Sequence, residues 1–91
     1  MNEARRILVS GLVQGVGYRY FVLTRANERQ IVGQVRNLQD GRVEIVVEGT
    51  AEALDRFLAD LEVGSRFSKV SAVEQAREAA TGRYSTFSIV S

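Results

Sequence analysis

Two helix-like stretches, each lying between strand-like runs, and one Asp-Gly hairpin at the centre of the chain predict an α+β fold of the ferredoxin-like, split βαβ class. The order reads β-α-β-β-α-β with one further strand at the C-terminus. In that arrangement two helices cover one face of a mostly antiparallel sheet.

Each element has its own signal. "RRILVSGLV" alternates, with Ile7, Val9 and Val13 on one face, and reads as the first strand. "YRYFVLTRANERQ" spaces Phe21, Val22 and Ala26 near the helical period, so the first helix starts between Tyr18 and Phe21. "IVGQVRNL" is the second strand. Asp40-Gly41 then marks a tight hairpin into "RVEIVVEG", where Val43, Ile45 and Val47 share a face. In "TAEALDRFLADLE", Leu54, Phe57, Leu58 and Leu61 form one helical stripe and Thr50 is placed to cap it. "SKVSAVEQARE" is the fourth strand, with Val70 and Val73 out of strict alternation, which points to a bulge. "YSTFSIVS" closes the chain as a strand in which Phe87 and Ile89 alternate with serines, a pattern suited to an exposed edge.

The 91 residues suit a single domain spanning 1–91, with 45% hydrophobic and 25% charged residues. Net charge is +1, so no global field attracts nucleic acid or an anionic membrane. No segment is long enough to span a membrane. Arg5 and Arg6 before "ILVSGLV" mimic a signal peptide, but Ser10 and Gly11 break the apolar run, and a cytoplasmic monomer is the expectation. Cysteine and histidine are both absent. That excludes disulfides and thiolate nucleophiles, and removes the commonest general base and metal ligand. The carboxylates are scattered, so neither a metal site nor a cofactor is expected.

The remaining signal is "VSGLVQGVGYRYF", where a strand ends in Gly15 and Gly17 and an arginine follows at once. A helix start leaves backbone N–H groups unpaired, and its dipole favours negative charge. Glycines at 15 and 17 let the backbone turn so that successive N–H groups point into one concavity. Arg19 can lay a planar fork against two oxygens of the same anion. A phosphate-like group fits that description. The residues alone equally allow a plain strand-to-helix turn with Arg19 in solvent. A dinucleotide fingerprint fails because Tyr20 stands where glycine is needed, and a P-loop fails for want of Gly-Lys-Ser/Thr.

"SGLVQGVGYRYFV" followed by "GQVRNLQDGRVEIVVEG" resembles the acylphosphatase family, whose pattern is Gly-x-Val-Gln-Gly-Val-x-Phe/Tyr-Arg and then Gly-x-Val-x-Asn before an Asp-Gly hairpin. Both motifs stand in order, from the first strand through the second helix, and "YSTFSIV" also fits. The departures are Tyr18 where phenylalanine is common, Leu12 where arginine is frequent, and "EVGSRFSKV" without the usual Gly-Pro. The resemblance implies a hydrolase that cleaves the carboxyl–phosphate bond of small acyl phosphates without a metal or cofactor. It implies that the Arg19 side chain and the backbone amides of Gln14, Gly15, Val16, Gly17, Tyr18 and Arg19 bind the phosphate and that Asn37 positions the attacking water. Inorganic phosphate, the product, is then expected to compete with substrate.

An RNA-recognition module needs aromatics on the open face of the third strand, and "RVEIVVEG" has none. A module that senses a small anion without turning it over fits the cradle, but does not call for an amide at Asn37. Similar units occur within larger proteins that process carbamoyl phosphate, and the lack of zinc-finger cysteines argues against that here. Asn37 near a hairpin can also serve only its own backbone. Alternation places Arg36 opposite Asn37, at the surface. Tyr18, Tyr20 and Phe21 read as core packing, and Glu44 and Glu48 as a solvated strand face on which nothing titratable converges.

Overall fold

The computed structural model describes residues 2–91. The elements follow the expected order: β1 (Asn2–Leu12), α1 (Tyr18–Glu28), β2 (Val32–Asn37), β3 (Val43–Thr50), α2 (Ala51–Val63), β4 (Lys69–Glu78) and β5 (Phe87–Ile89). The strands form one sheet in the order β4-β1-β3-β2-β5. All neighbours are antiparallel except β2 and β5. Among the described residues no helix is long and apolar enough to cross a membrane.

Both helices bury their apolar stripes on the same sheet face. Ile7 and Val9 of β1, Val35 of β2, and Val43, Ile45 and Val47 of β3 are buried against Tyr18, Val22 and Ala26 of α1 and Leu54, Phe57 and Leu61 of α2. Period-2 strands and period-3.6 helices supply one shared core, as the alternation requires. The Tyr18 hydroxyl donates to the Leu61 carbonyl at 3.0 Å, tying α1 to the last turn of α2. Burial pushes its phenol pKa well up. Tyr20 departs from the expectation for the aromatic trio and is exposed, while Phe21 is half-buried.

The hairpin forms where Asp40-Gly41 stands, but through a three-residue loop. Leu38 N–H donates to Arg42 O at 2.8 Å, Gly41 N–H donates to Leu38 O at 3.2 Å, and within this loop Gly41 alone has positive φ. That pattern is the turn closed by a left-handed glycine. Asp40 accepts from Arg42 N–H at 3.0 Å and pairs with its guanidinium, which holds its carboxyl below the usual range. The bulge in β4 lies at Ser71, since Ser10 pairs Ala72 while Gly11 pairs Val70.

The outer sheet face differs from the solvated surface that alternation suggests. Glu44 and Glu48 are buried. Arg6 and Arg36 converge on Glu44 at 2.6 and 2.7 Å. Burial works against the charge of Glu44, but the two guanidiniums outweigh it and hold the carboxyl low. Glu48 accepts from Thr81 Oγ1 at 2.7 Å, and from the backbone N–H groups of Thr81 and Gly82 at 3.0 and 2.9 Å. The cause at Glu48 is topological: β4 and β5 lie at opposite edges, so the chain between them passes the outer face. Arg36 does lie on that face, as alternation requires, and is partly exposed.

Candidate active site

The site is assembled at one end of the sheet. β1 and β2 flank β3 and both run antiparallel to it, so their C-terminal ends lie side by side across the start of β3. β1 delivers the 13–17 loop there, and β2 delivers Asn37.

The loop enters α1 through two left-handed glycines, Gly15 at φ 74° and Gly17 at φ 77°. Gly17 is the N-cap residue at ψ 15°, and Tyr18 begins the helix. A left-handed residue followed by a helical one turns successive N–H groups to the same side, making an anion-binding nest. No side chain caps this helix start, and its first turn contains no acidic residue. A Cβ added at Gly15 or Gly17 would meet no atom within 4 Å, so backbone conformation and not crowding calls for glycine.

Arg19 follows in the first turn and is half-buried. Arg5, Arg6, Arg25, Arg29, Arg36 and Arg42 each meet a carboxylate. Arg19 meets none among the described residues, and neither do Arg56, Arg66, Arg77 and Arg83, but Arg19 alone of these stands at the loop. The nest and a guanidinium without a carboxylate partner thus come from one short segment.

Asn37 pairs with Val43, which pairs with Val9 on its other side. The three share the helix-facing side of the sheet. Asn37 is therefore turned toward the layer in which α1 begins, and Arg36 toward the outer face. The Asn37 carbonyl oxygen is shielded from solvent and accepts no hydrogen bond from the protein. A shielded carbonyl without a donor is costly unless a water or ligand supplies one.

One contact here joins segments far apart in the sequence. The Gln14 amide donates to Leu38 O at 2.8 Å and to Arg42 O at 2.9 Å, joining the loop to the base of the hairpin. The sequence separations of 24 and 28 residues leave no local trace of it. A groove of about 410 Å³ lies elsewhere, lined by Phe21, Arg25, Glu28, Arg29, Asp60, Val63 and Gly64, with its charges paired as Arg25–Glu28 and Arg29–Asp60. It shares no residue with the loop. The loop is an open cradle of backbone donors, suited to a small anion. No group of carboxylates among the described residues is placed to hold a metal ion.

The acylphosphatase family model matches residues 5–89. This chain belongs to the acylphosphatase family. The matched range contains the loop, Arg19, Asn37 and the Gln14 contact. The chain is 46% identical over 85 residues to an acylphosphatase of Bacillus subtilis, covering 93% of each chain. It is 54% identical over 67 residues to an acylphosphatase of Thermus thermophilus, covering 74% of this chain and 76% of that one. The crystal structure of acylphosphatase from Bacillus subtilis superposes with a TM-score of 0.95 at 44% identity, covering 100% of both chains. As an acylphosphatase-family chain it is placed among hydrolases.

Proposed function

We propose that the protein hydrolyses small acyl phosphates to a carboxylate and inorganic phosphate, with the 14–19 loop as phosphate cradle and Asn37 as the water-positioning residue. The observation that carries this reading is the pairing of an uncapped, left-handed helix start beside Arg19 with a shielded, unpartnered Asn37 carbonyl at the same end of the sheet. Backbone N–H groups of the loop and the Arg19 guanidinium hold the phosphoryl oxygens and offset the charge that builds on them. The Asn37 carbonyl accepts a hydrogen bond from water and so orients its lone pair toward phosphorus. The water oxygen bonds to phosphorus as the bond from phosphorus to the acyl oxygen breaks. The electron pair leaves with the carboxylate, and the water's proton passes to a phosphate oxygen.

Nothing in this route needs a histidine, a thiolate or a metal. Phosphoryl transfer depends on positioning and charge stabilisation, and a carboxylate leaves without a strong general acid. An amide suits Asn37 because it accepts and donates without titrating near neutrality. The recognised part of the substrate is its phosphate, so a range of acyl groups should be accepted.

The test is hydrolysis of benzoyl phosphate with a chelator present, by the unsubstituted protein and by Asn37→Ala. Turnover should persist in chelator, and inorganic phosphate should inhibit competitively. Asn37→Ala should cut kcat by about a hundredfold or more while phosphate inhibits as before, since only the water loses its place. Phosphate binding without any turnover in the unsubstituted protein would favour an anion sensor. Lost phosphate inhibition with kcat retained in Asn37→Ala would show that its role is misassigned.

A further inference from the structure

The geometry points to Gln14 as a positioning residue whose side chain sets the distance between the phosphate cradle and the water held at Asn37; this rests on the function proposed above. The cradle and Asn37 belong to different strands, and those strands are not neighbours, because β3 lies between β1 and β2. The cradle's own parts, the loop amides and Arg19, all lie on one segment. The alignment of attacking water and phosphorus therefore depends on a contact between segments.

The Gln14 side chain makes such a contact. Its single amide nitrogen spends both hydrogens on the hairpin, one on Leu38 O at 2.8 Å and one on Arg42 O at 2.9 Å. Leu38 directly follows Asn37. The same two residues close the hairpin through Leu38 N–H to Arg42 O at 2.8 Å. Gln14 thus grips the hairpin at its base, one residue from the amide that would hold the water. Its backbone is the loop's entry, one residue before Gly15. A side chain so committed has no N–H left for the anion, so its contribution to the reaction is made through the hairpin.

The kinetic consequence differs from that of a cradle residue. Loosening the strut leaves the anion's donors in place, so KM and phosphate inhibition should hardly move. Alignment should suffer, and a misplacement of about 1 Å costs on the order of a hundredfold in rate. Gln14→Met keeps the length and removes both donors.

The experiment measures kcat and KM for benzoyl phosphate, and the inhibition constant of inorganic phosphate, in Gln14→Met, Asn37→Ala and the double variant. Gln14→Met should lower kcat by about tenfold to a hundredfold, with KM and phosphate inhibition within about threefold of the unsubstituted enzyme. In the Asn37→Ala background the same change should cost little more, because the water to be aligned is already lost. An equal loss in both backgrounds, or a rise in KM and in the phosphate inhibition constant at unchanged kcat, would overturn the assignment. An unchanged Gln14→Met beside a crippled Asn37→Ala would overturn it while leaving the proposed function standing. A fully active Asn37→Ala would instead sink the function of Asn37 itself. Should the methionine prevent folding, Gln14→Glu serves. Only its protonated carboxyl can donate, and to one of these two carbonyls, so its kcat relative to the unsubstituted enzyme should recover in part as pH falls, and a flat ratio would refute the strut.

Discussion

Two places in this molecule gather backbone N–H groups beside a glycine at positive φ, and they are finished in opposite ways. At Thr81–Gly82, with Gly82 at φ 71°, the two N–H groups and the Thr81 hydroxyl close on the buried carboxylate of Glu48. At Gly15–Tyr18 no side chain caps the helix start and the first turn carries no acid. The first concavity supplies its own anion, and the second leaves its donors to one from outside. Orphaned donors at a helix start are ordinarily met by a cap, as Thr50 meets Ala53 N–H at the start of α2. The protein therefore knows both solutions, and the exception stands beside Arg19.

The largest effect should come from removing the charge at the open concavity. Arg19→Ala should lower kcat/KM by about a thousandfold or more and abolish inhibition by phosphate, in line with the loss of a charged donor to a transferring phosphoryl group. Because Arg19 meets no carboxylate among the described residues, thermal stability should change by no more than about 0.5 kcal/mol. Benzoyl phosphate kinetics and a melting curve on the same sample check both halves. A variant that lost activity only in proportion to lost fold would remove Arg19 from the site.

How far this contrast was legible in the sequence follows from the range of each interaction. The open loop was legible, because glycines, the helix start and the arginine are consecutive and the acylphosphatase motif spans them. So were the α2 cap, the Asp40-Gly41 hairpin and the β4 bulge, each settled within a few residues. The closed concavity was not. Glu44 and Glu48 alternate with apolar neighbours and read as solvated. Glu48 is buried because the β4-β1-β3-β2-β5 order sends the chain past the outer face, and Glu44 because Arg6 and Arg36 of the flanking strands close on it. Thr81-Gly82 was the one available signal, and it marks a turn without saying what the turn holds. The Gln14 strut was hidden for the same reason, since its partners become neighbours only when β1 and β2 flank β3.

The next effect in size belongs to the closed concavity. Bonds from the Thr81 hydroxyl, then from the Gly82 and Thr81 N–H groups, hold the Glu48 carboxyl below its ordinary value of 4.5. A depressed folded value means that the stabilisation is present above about that pH and is lost as pH falls through the folded value. Glu48→Gln keeps the shape and removes the charge, so at pH 7 it should cost about 1–3 kcal/mol. The gap between variant and unsubstituted protein should narrow as acid protonates Glu48. Urea unfolding at pH 7 and again below the folded value reads this directly, and a gap that stayed constant with pH would show that charge is not what the concavity holds. Turnover at neutral pH should be unaltered, because Glu48 lies on the outer face and pairs with Ala4 and Val32, toward the opposite end of the strands from Asn37.

The smallest effect isolates the ordinary helix cap. Thr50 Oγ1 accepts from Ala53 N–H at 3.2 Å, and Glu52 adds a negative charge in the first turn of α2. Thr50→Ala should cost about 1 kcal/mol of stability, seen as a shift of a few degrees in Tm with kcat and KM unchanged. The value of this modest result lies in what it excludes. If uncapping α2 lowers only stability, orphaned donors at a helix start do not create activity by themselves. The activity then depends on what accompanies them at α1: left-handed glycines that turn the N–H groups inward, an arginine with no carboxylate to satisfy it, and an amide at the end of β2. Should Thr50→Ala instead alter phosphate inhibition, the two helix starts would be coupled through the core, and the separation between a structural and a ligand-binding helix start would fail.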